Sequence, residues 1–175
     1  MACNSVTLAN IARDCESNLG GIRKVYLAIW ESGIFQTSAN TSGDTVVSSV
    51  TSSVTWYEYN FRKNTGTYES TQTVSDAGNN YYTSTLTMVF SRMEAAKRTA
   101  VNALGMGEVA GIVEDCNGKF WTLGFDEPAS TTGNSAATGT AKTDTNAYTV
   151  VLAADSAELP YEVLPSVVES LKTGN

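Results

Sequence analysis

The residues with the most evident potential for chemistry are two acid pairs and a cysteine near one short loop. Glu114 and Asp115 precede Cys116 in the stretch VEDCNGKFWTLG, and Asp126 and Glu127 follow it. Paired carboxylates could serve glycoside hydrolysis, in which one acid protonates the leaving group and the other attacks or activates water. Adjacent residues of a strand point to opposite faces, so neither pair is expected to converge on a sugar.

A nucleophilic thiol or a metal centre has little support from the remaining residues. The chain has no histidine, the commonest general base and metal ligand. Cys3, Cys15 and Cys116 are widely spaced, odd in number and without a Cys-x-x-Cys pair. That pattern fits reduced thiols better than a disulfide framework or a zinc site. No glycine-rich phosphate loop is present either. We therefore expect no enzyme activity, no metal and no cofactor.

Aromatic residues offer one further kind of binding site. A sugar-stacking platform could be built from Trp30, Trp56, Tyr57, Tyr59 and Trp121. Aromatic residues at strand spacing more often belong to a core, so a carbohydrate-binding module or adhesin is kept as an alternative.

Length, composition and charge point to one domain rich in strands. The 175 residues fit a single domain, and only 17% are charged. Net charge is −7: residues 1–125 hold nine basic and eleven acidic side chains, and residues 126–175 hold two and seven. An acidic chain repels phosphate, which argues against nucleic-acid binding. No apolar run is long enough to span a membrane, and residues 1–10 predict no signal peptide.

A long hairpin over residues 65–90 is the most informative element. Two β-prone runs flank the turn cluster from Asp76 to Asn80. The first run is polar on both faces, and the second becomes amphipathic only toward its end, at Leu86, Met88 and Phe90. The root of the hairpin is therefore expected to pack on a core, whereas its tip should project and need a partner.

One helix and a second hairpin follow. The helix is predicted over about 91–104, with Ser91 as N-cap, Glu94 completing a capping box and two glycines ending it. Asn117-Gly118 predicts a two-residue type I′ turn. The apolar stripe expected on the helix consists of Met93, Ala96, Ala100, Ala103 and Leu104.

The rest of the chain is predicted as strands joined by polar segments. Residues 1–20 form an N-terminal arm that could hold a short helix, and residues 31–43 form a turn-rich link. Residues 126–145 predict a mobile surface loop. Residues 156–175 contain two prolines, which exclude a central strand and leave an edge strand with a short tail helix, or a docking arm. The predicted strands cover residues 21–30, 44–50, 53–61 and 146–155.

Three stretches together resemble a known family. CNSVTLANIARDCESNLGGIRKVYL, TLTMVFSRMEAAKRTAVNAL and VEDCNGKFWTLG are similar to tail tube proteins of tailed bacteriophages that infect Bacteroidetes, including crAss-like phages. The resemblance touches most of residues 3–124. It implies a mainly β fold, a β-sandwich or barrel with one flanking helix. It also implies copies that close into hexameric rings, and rings that stack into a hollow tube for DNA ejection.

The resemblance also implies partners and contacts. The chain would contact itself within and between rings, and other tail proteins such as a terminator, a baseplate or, in a contractile tail, a sheath facing residues 126–145. DNA would pass through the lumen without specific binding, and the protein would reside in the virion tail after synthesis in the host bacterial cytoplasm. No membrane is involved. The expected contact residues are Leu8, Ile11, Thr67, Glu69, Thr71, Thr73, Asp76, Asn79, Asn80, Tyr161 and Val163.

Three other structural roles stay open beside this one: a tail terminator, a head decoration protein and the subunit of a different filament. A tail terminator or a head decoration protein of the same general build would form a single ring or bind a preformed shell without stacking.

Overall fold

A computed structural model describes residues 9–173 of the chain, and this part contains eleven strands and two helices. The strands are β1 (Ile22–Ile29), β2 (Phe35–Ala39), β3 (Thr45–Val50), β4 (Tyr57–Asn60), β5 (Thr67–Val74), β6 (Asn80–Ser91), β7 (Val109–Asp115), β8 (Phe120–Leu123), β9 (Ser130–Ala137), β10 (Ala147–Ser156) and β11 (Glu162–Val163), and the helices are α1 (Ala95–Met106) and α2 (Pro165–Thr173).

The strands form two sheets, which confirms the expected mainly β sandwich with a flanking helix. The larger sheet has seven strands in the order β2-β3-β11-β8-β7-β1-β4. The smaller sheet has four strands in the order β5-β6-β10-β9, and every neighbouring pair in it is antiparallel. Tyr68 of β5 ties the two sheets together, because its hydroxyl donates a 2.6 Å hydrogen bond to the backbone oxygen of Thr122 in β8.

The central strands β1 and β7 of the seven-stranded sheet are buried on both faces, whereas the edge strands β2 and β4 are largely exposed. In β1, Val25 and Leu27 contribute to a core that also includes β6, β10 and α1, whereas Tyr26 and Ala28 belong to a second core with α2. Successive side chains of a strand point to opposite faces, so one strand can serve both cores. The smaller sheet buries only one face and leaves the other available.

Helix α1 begins later than the sequence predicts. Ser91 is not an N-cap, because it still pairs with Ala147 as the last residue of β6. Glu94 takes the N-cap position without a side-chain capping bond, so the predicted capping box is wrong. The buried face is also rotated from the expected alanine stripe: Val101 and Leu104 are buried, whereas Ala96 and Ala103 are exposed.

The second hairpin has the predicted position but a different turn. Gly118 has φ 80°, and Asn117 is not in the left-handed region that a type I′ turn requires of both central residues. The backbone N–H of Asp115 donates to the oxygen of Lys119 at 2.9 Å, which closes a three-residue loop. The loop is a tight turn whose last residue is left-handed, a common alternative for short hairpins.

Two segments expected to lack strands contain them, and the C-terminal segment, for which an edge strand with a short tail helix was one alternative, has its helix but a central strand. Residues 31–43 hold β2, and Ser130–Ala137 within 126–145 form β9, so the loop prediction is wrong for those eight residues, whereas residues 138–145 form no strand or helix. β11 lies between β3 and β8 despite the flanking prolines, because a strand of two residues fits between Pro160 and Pro165. The C-terminal segment is therefore not a free arm: it contributes a central strand and the helix α2 to the body.

The described part of the N-terminal segment is exposed. Residues 9–20 contain no helix or strand, so the predicted short helix is absent from them. The segment is tied to the second hairpin, because Asn117 accepts from the backbone N–H of Leu19 at 2.8 Å and donates to Asn18 at 3.0 Å. Leu8, an expected contact residue, lies outside the described residues.

Candidate functional site

The surface that best matches a functional role is the outer face of the four-stranded sheet. In β6, the buried Leu86, Met88 and Phe90 alternate with half-buried residues that point away from the core. Residues of β5 and β10 pair with them on that same side. We call this surface the outer face; its members include Thr67, Glu69, Thr71, Thr73, Tyr81, Thr83, Thr85, Thr87, Thr149, Val151, Ala153 and Asp155.

The outer face is polar and carries no positive charge. None of the residues of β5, β6, β9 and β10 is Lys or Arg, and their acidic residues are Glu69 and Asp155. The hydroxyl of Thr83 donates to the carboxylate of Asp155 at 2.6 Å. Such a surface presents hydroxyl groups and negative charges to a phosphate backbone. It repels the phosphates and has no ammonium or guanidinium group to bind them.

Both edge strands of this sheet are open in the single chain. β5 and β9 each have eight residues, and each pairs on one side only within the described residues. Neither strand contains proline or a basic residue, the devices that usually blunt an exposed edge. The four strands alternate in direction, so β9 of one copy beside β5 of another would continue the antiparallel order.

The tip of the long hairpin projects, as predicted. Residues 71–74 and 76–81 are all exposed, and Val74 retains 68% of its accessible surface although it is apolar. The turn is held by its own backbone, since Ser75 N–H donates to the oxygen of Asn79 at 2.9 Å. The tip thus holds its shape by local hydrogen bonds while its side chains stay available for contacts.

The structure separates the expected contact residues into two groups. Four of them, on β5, lie together on the outer face, three lie at the hairpin tip, and Ile11 is 98% exposed. Val163 is fully buried in β11, and Tyr161 packs on Phe125 with ring centroids 4.6 Å apart. Both residues pack within their own chain: the buried Val163 has no surface left for a neighbouring subunit, whereas the half-buried Tyr161 keeps part of its surface, and its role between subunits stays a prediction. The sequence analysis missed β9 and Asp155 as parts of this surface.

The acid pairs have structural partners. One oxygen of Asp115 accepts from the backbone N–H groups of Asn117 and Lys119, and the other accepts from the indole N–H of Trp121 at 3.1 Å. Asp126 accepts from the backbone N–H of Ala157 at 2.9 Å. Within residues 9–173, no group of three Cys, Asp or Glu side chains could hold a metal ion.

The five aromatic residues do not form a platform. Trp56 is buried beside Phe35, with ring centroids 6.0 Å apart. Tyr59 packs on Phe90 in the other core, with centroids 6.1 Å apart. Because these rings lie in different cores, the sugar-stacking arrangement considered for the sequence is not present.

Several tyrosine hydroxyls are perturbed by their surroundings. Burial is the main cause that raises the pKa of Tyr68 well above its ordinary value of 10.0. Burial, together with the nearby carboxylates of Glu58 and Glu114, raises the pKa of Tyr26 to about 12. A hydrogen bond to Glu158 raises the pKa of Tyr161 to about 12. The raised pKa values mean that these three hydroxyls keep their protons at neutral pH.

Comparison with known proteins adds no relative, since no protein-family model and no curated protein matches the chain. Neither helix in the described part of the chain is long and apolar enough to cross a membrane.

Proposed function

We propose that this chain is the self-assembling subunit of a bacteriophage tail tube, and that the outer face of its four-stranded sheet lines the channel. The observation that carries the proposal is the four-stranded sheet itself. It combines a threonine-rich face without basic residues and two unprotected antiparallel edges.

The open edges supply the contact within a ring. β9 of one copy pairs with β5 of the next in antiparallel register, and the same contact repeats around a closed ring. Closure removes every free edge of this sheet, which an isolated chain would leave exposed to uncontrolled pairing. Pairing between neighbouring strands depends on main-chain hydrogen bonds and not on large side chains. β9 can therefore form this contact although it consists of Ser, Thr, Gly, Asn and Ala.

The geometry gives a channel of useful width. Six copies of a four-stranded sheet contribute 24 strands. At about 4.8 Å between neighbouring strands, the backbone ring is at least about 37 Å across, and strand tilt widens it further. Barrels of about 16–18 strands already enclose an aqueous channel, so a 24-stranded ring leaves ample space after its side chains are included.

The chemistry of the lining suits passage of DNA. Glu69 and Asp155 repel phosphates, and threonine hydroxyls form hydrogen bonds that water replaces readily. The projecting hairpin and the N-terminal segment reach toward neighbouring copies or other tail proteins. The protein would thus act in the virion tail, as a conduit and without enzyme activity or a cofactor.

Negative-stain electron microscopy of the concentrated full chain, beside light scattering of the same sample, tests this function. Hollow tubes or stacked rings are the expected result. Single rings that never stack would favour a terminator, and monomers bound to a preformed shell would favour a head decoration protein.

A further inference from the structure

Two clefts of opposite charge lie at the two ends of the β5–β6 hairpin. From residue 64 to residue 91 and from residue 120 to residue 141 there is no Lys or Arg. Four basic residues, Arg23, Lys24, Arg62 and Lys63, lie around the beginning of β1 and the end of β4, where Lys24 forms an ion pair with Glu58. The two clefts are separated along the strands of the sheet that the proposed function places around the channel.

A basic cleft lies at one end. It has a volume of about 530 Å³, and Arg23, Arg62 and Lys63 line it together with Phe61 and the backbone at Gly21. No acidic side chain lines the cleft, and none of its three basic side chains forms an ion pair among the described residues. Arg23 donates to the backbone oxygen of Cys116 at 2.9 Å, which holds one positive charge at the wall.

Acidic residues lie at the other end of the hairpin. A second cleft of about 420 Å³ is lined by Asp126, Glu127 and Asp155 and by the beginning of β6, with no basic residue. The exposed Asp76 at the hairpin tip adds to this charge. We call Asp76, Asp126, Glu127 and Asp155 the acidic end.

The positions of the two surfaces follow from strand pairing. Gly66, directly before β5, lies against Phe61 of the basic cleft. Val74, the last residue of β5, pairs with Asn80, which lines the acidic cleft. The eight residues of β5 therefore separate the two surfaces by about 24 Å along the strand direction.

We propose that the acidic end of one copy docks onto the basic cleft of a second copy, which stacks rings head to tail in a single direction. The inference rests on the proposed tube function and names the surface that joins successive rings. The partner is a copy of the same chain, because only a head-to-tail contact uses both charged ends of every subunit. Like-charged ends repel in the reversed orientation, so the contact also sets the polarity of the tube.

Charge reversal of the full chain tests the proposal, with tube formation measured by sedimentation and negative-stain microscopy. Arg62→Glu and Glu127→Lys should each raise the protein concentration needed for tubes about tenfold or more. The double variant R62E/E127K restores opposite charges across the contact and should return this concentration to within about threefold of the original. Arg98→Glu makes the same charge change on exposed α1, outside the cleft. It should leave the protein concentration needed for tubes within about twofold of the original.

Two further readings make the outcome decisive. Unchanged thermal unfolding of the variants separates lost stacking from lost folding. Raising salt to about 1 M shortens the Debye length to ~3 Å and should raise the concentration that the original chain needs for tubes. If the original chain forms tubes and Arg62→Glu behaves like Arg98→Glu, this inference is overturned and the tube function stands. Equal behaviour of Arg62→Glu and Arg98→Glu is also the result expected if another tail protein occupies the basic cleft, and it overturns the inference in that case as well. If the original chain forms neither rings nor tubes, the proposed function fails and this inference with it.

Discussion

Replacing Tyr68 by Phe removes a link between the channel-lining sheet and the body of the fold. The hydroxyl of Tyr68 donates to the backbone oxygen of Thr122 over 2.6 Å in a partly buried position. Phenylalanine keeps the ring but leaves that carbonyl without this donor. A net hydrogen bond contributes about 1 kcal/mol, and an unsatisfied buried acceptor costs about 1–3 kcal/mol. We therefore expect Tyr68→Phe to lower the free energy of unfolding by about 1–2 kcal/mol and the Tm by about 2–8 °C.

The same change should alter the response to alkaline pH. Burial raises the pKa of Tyr68 in the folded chain, whereas an unfolded tyrosine ionises near pH 10. Above about pH 10 the unfolded chain therefore holds fewer protons than the folded chain, so stability falls as pH rises. Loss of one such tyrosine should reduce this slope by up to about 1.4 kcal/mol per pH unit.

Denaturant unfolding at pH 7 and across pH 9–11.5 measures both effects. Tyr57→Phe is the matched control, because Tyr57 is 56% exposed, and its change should stay within about 0.5 kcal/mol. Equal stabilities of the two variants at pH 7, or equal alkaline slopes, would refute the assignment of Tyr68 as a buried link between the sheets.

Three further changes test other parts of the account. Gly118→Val should cost about 1–2 kcal/mol in thermal unfolding, because a β-branched residue resists φ 80° although open space surrounds the position. Gly133→Val, also in open space but without positive φ, is the control and should cost little; equal effects would contradict the turn assignment. Replacing residues 76–80 by a two-residue turn should leave the Tm within a few degrees but shorten or abolish tubes, and a chain that fails to fold would show that the tip is not a projection. Thr85→Lys should give tubes that retain duplex DNA in a filter assay and release it as salt rises, and tubes that retain none would argue against the outer face as the lining.

The sequence predicts the long hairpin and the first strand well because each has a clear alternation of buried and exposed residues. Val25, Leu27, Leu86 and Met88 recur at every second position, and strong turn residues stand between the strands of the hairpin. The alternation on β6 also indicates which threonines face away from the core. The alternation does not indicate which strand pairs with β6, and for that reason the place of Asp155 beside Thr83 could not be predicted.

The wrong predictions share a physical cause: tertiary contacts outweighed local preference. Ser, Thr, Gly and Ala in β9 are typical of loops, yet the strand forms because β10 and α1 provide hydrogen bonds, among them one from Thr131 to the oxygen of Leu104 at 2.9 Å. β11 is too short for either neighbouring proline to interrupt its ladder. The turn at Asn117 follows from the carboxylate of Asp115, which accepts from the backbone N–H of Asn117 within the three-residue loop and from that of Lys119 directly after it.

The most direct test of the tube function is electron microscopy of the full chain at high concentration, with the lining marked. In a variant whose own Cys3, Cys15 and Cys116 are replaced by serine, a cysteine introduced at Thr85 and labelled with a gold cluster should give density inside hollow tubes, whereas the same label at exposed Arg98 should give density on their outer surface. Lumenal gold from position 85 is the result that the account predicts. Tubes with that label outside would contradict the assignment of the lining, and a chain that forms neither rings nor tubes would contradict the function itself.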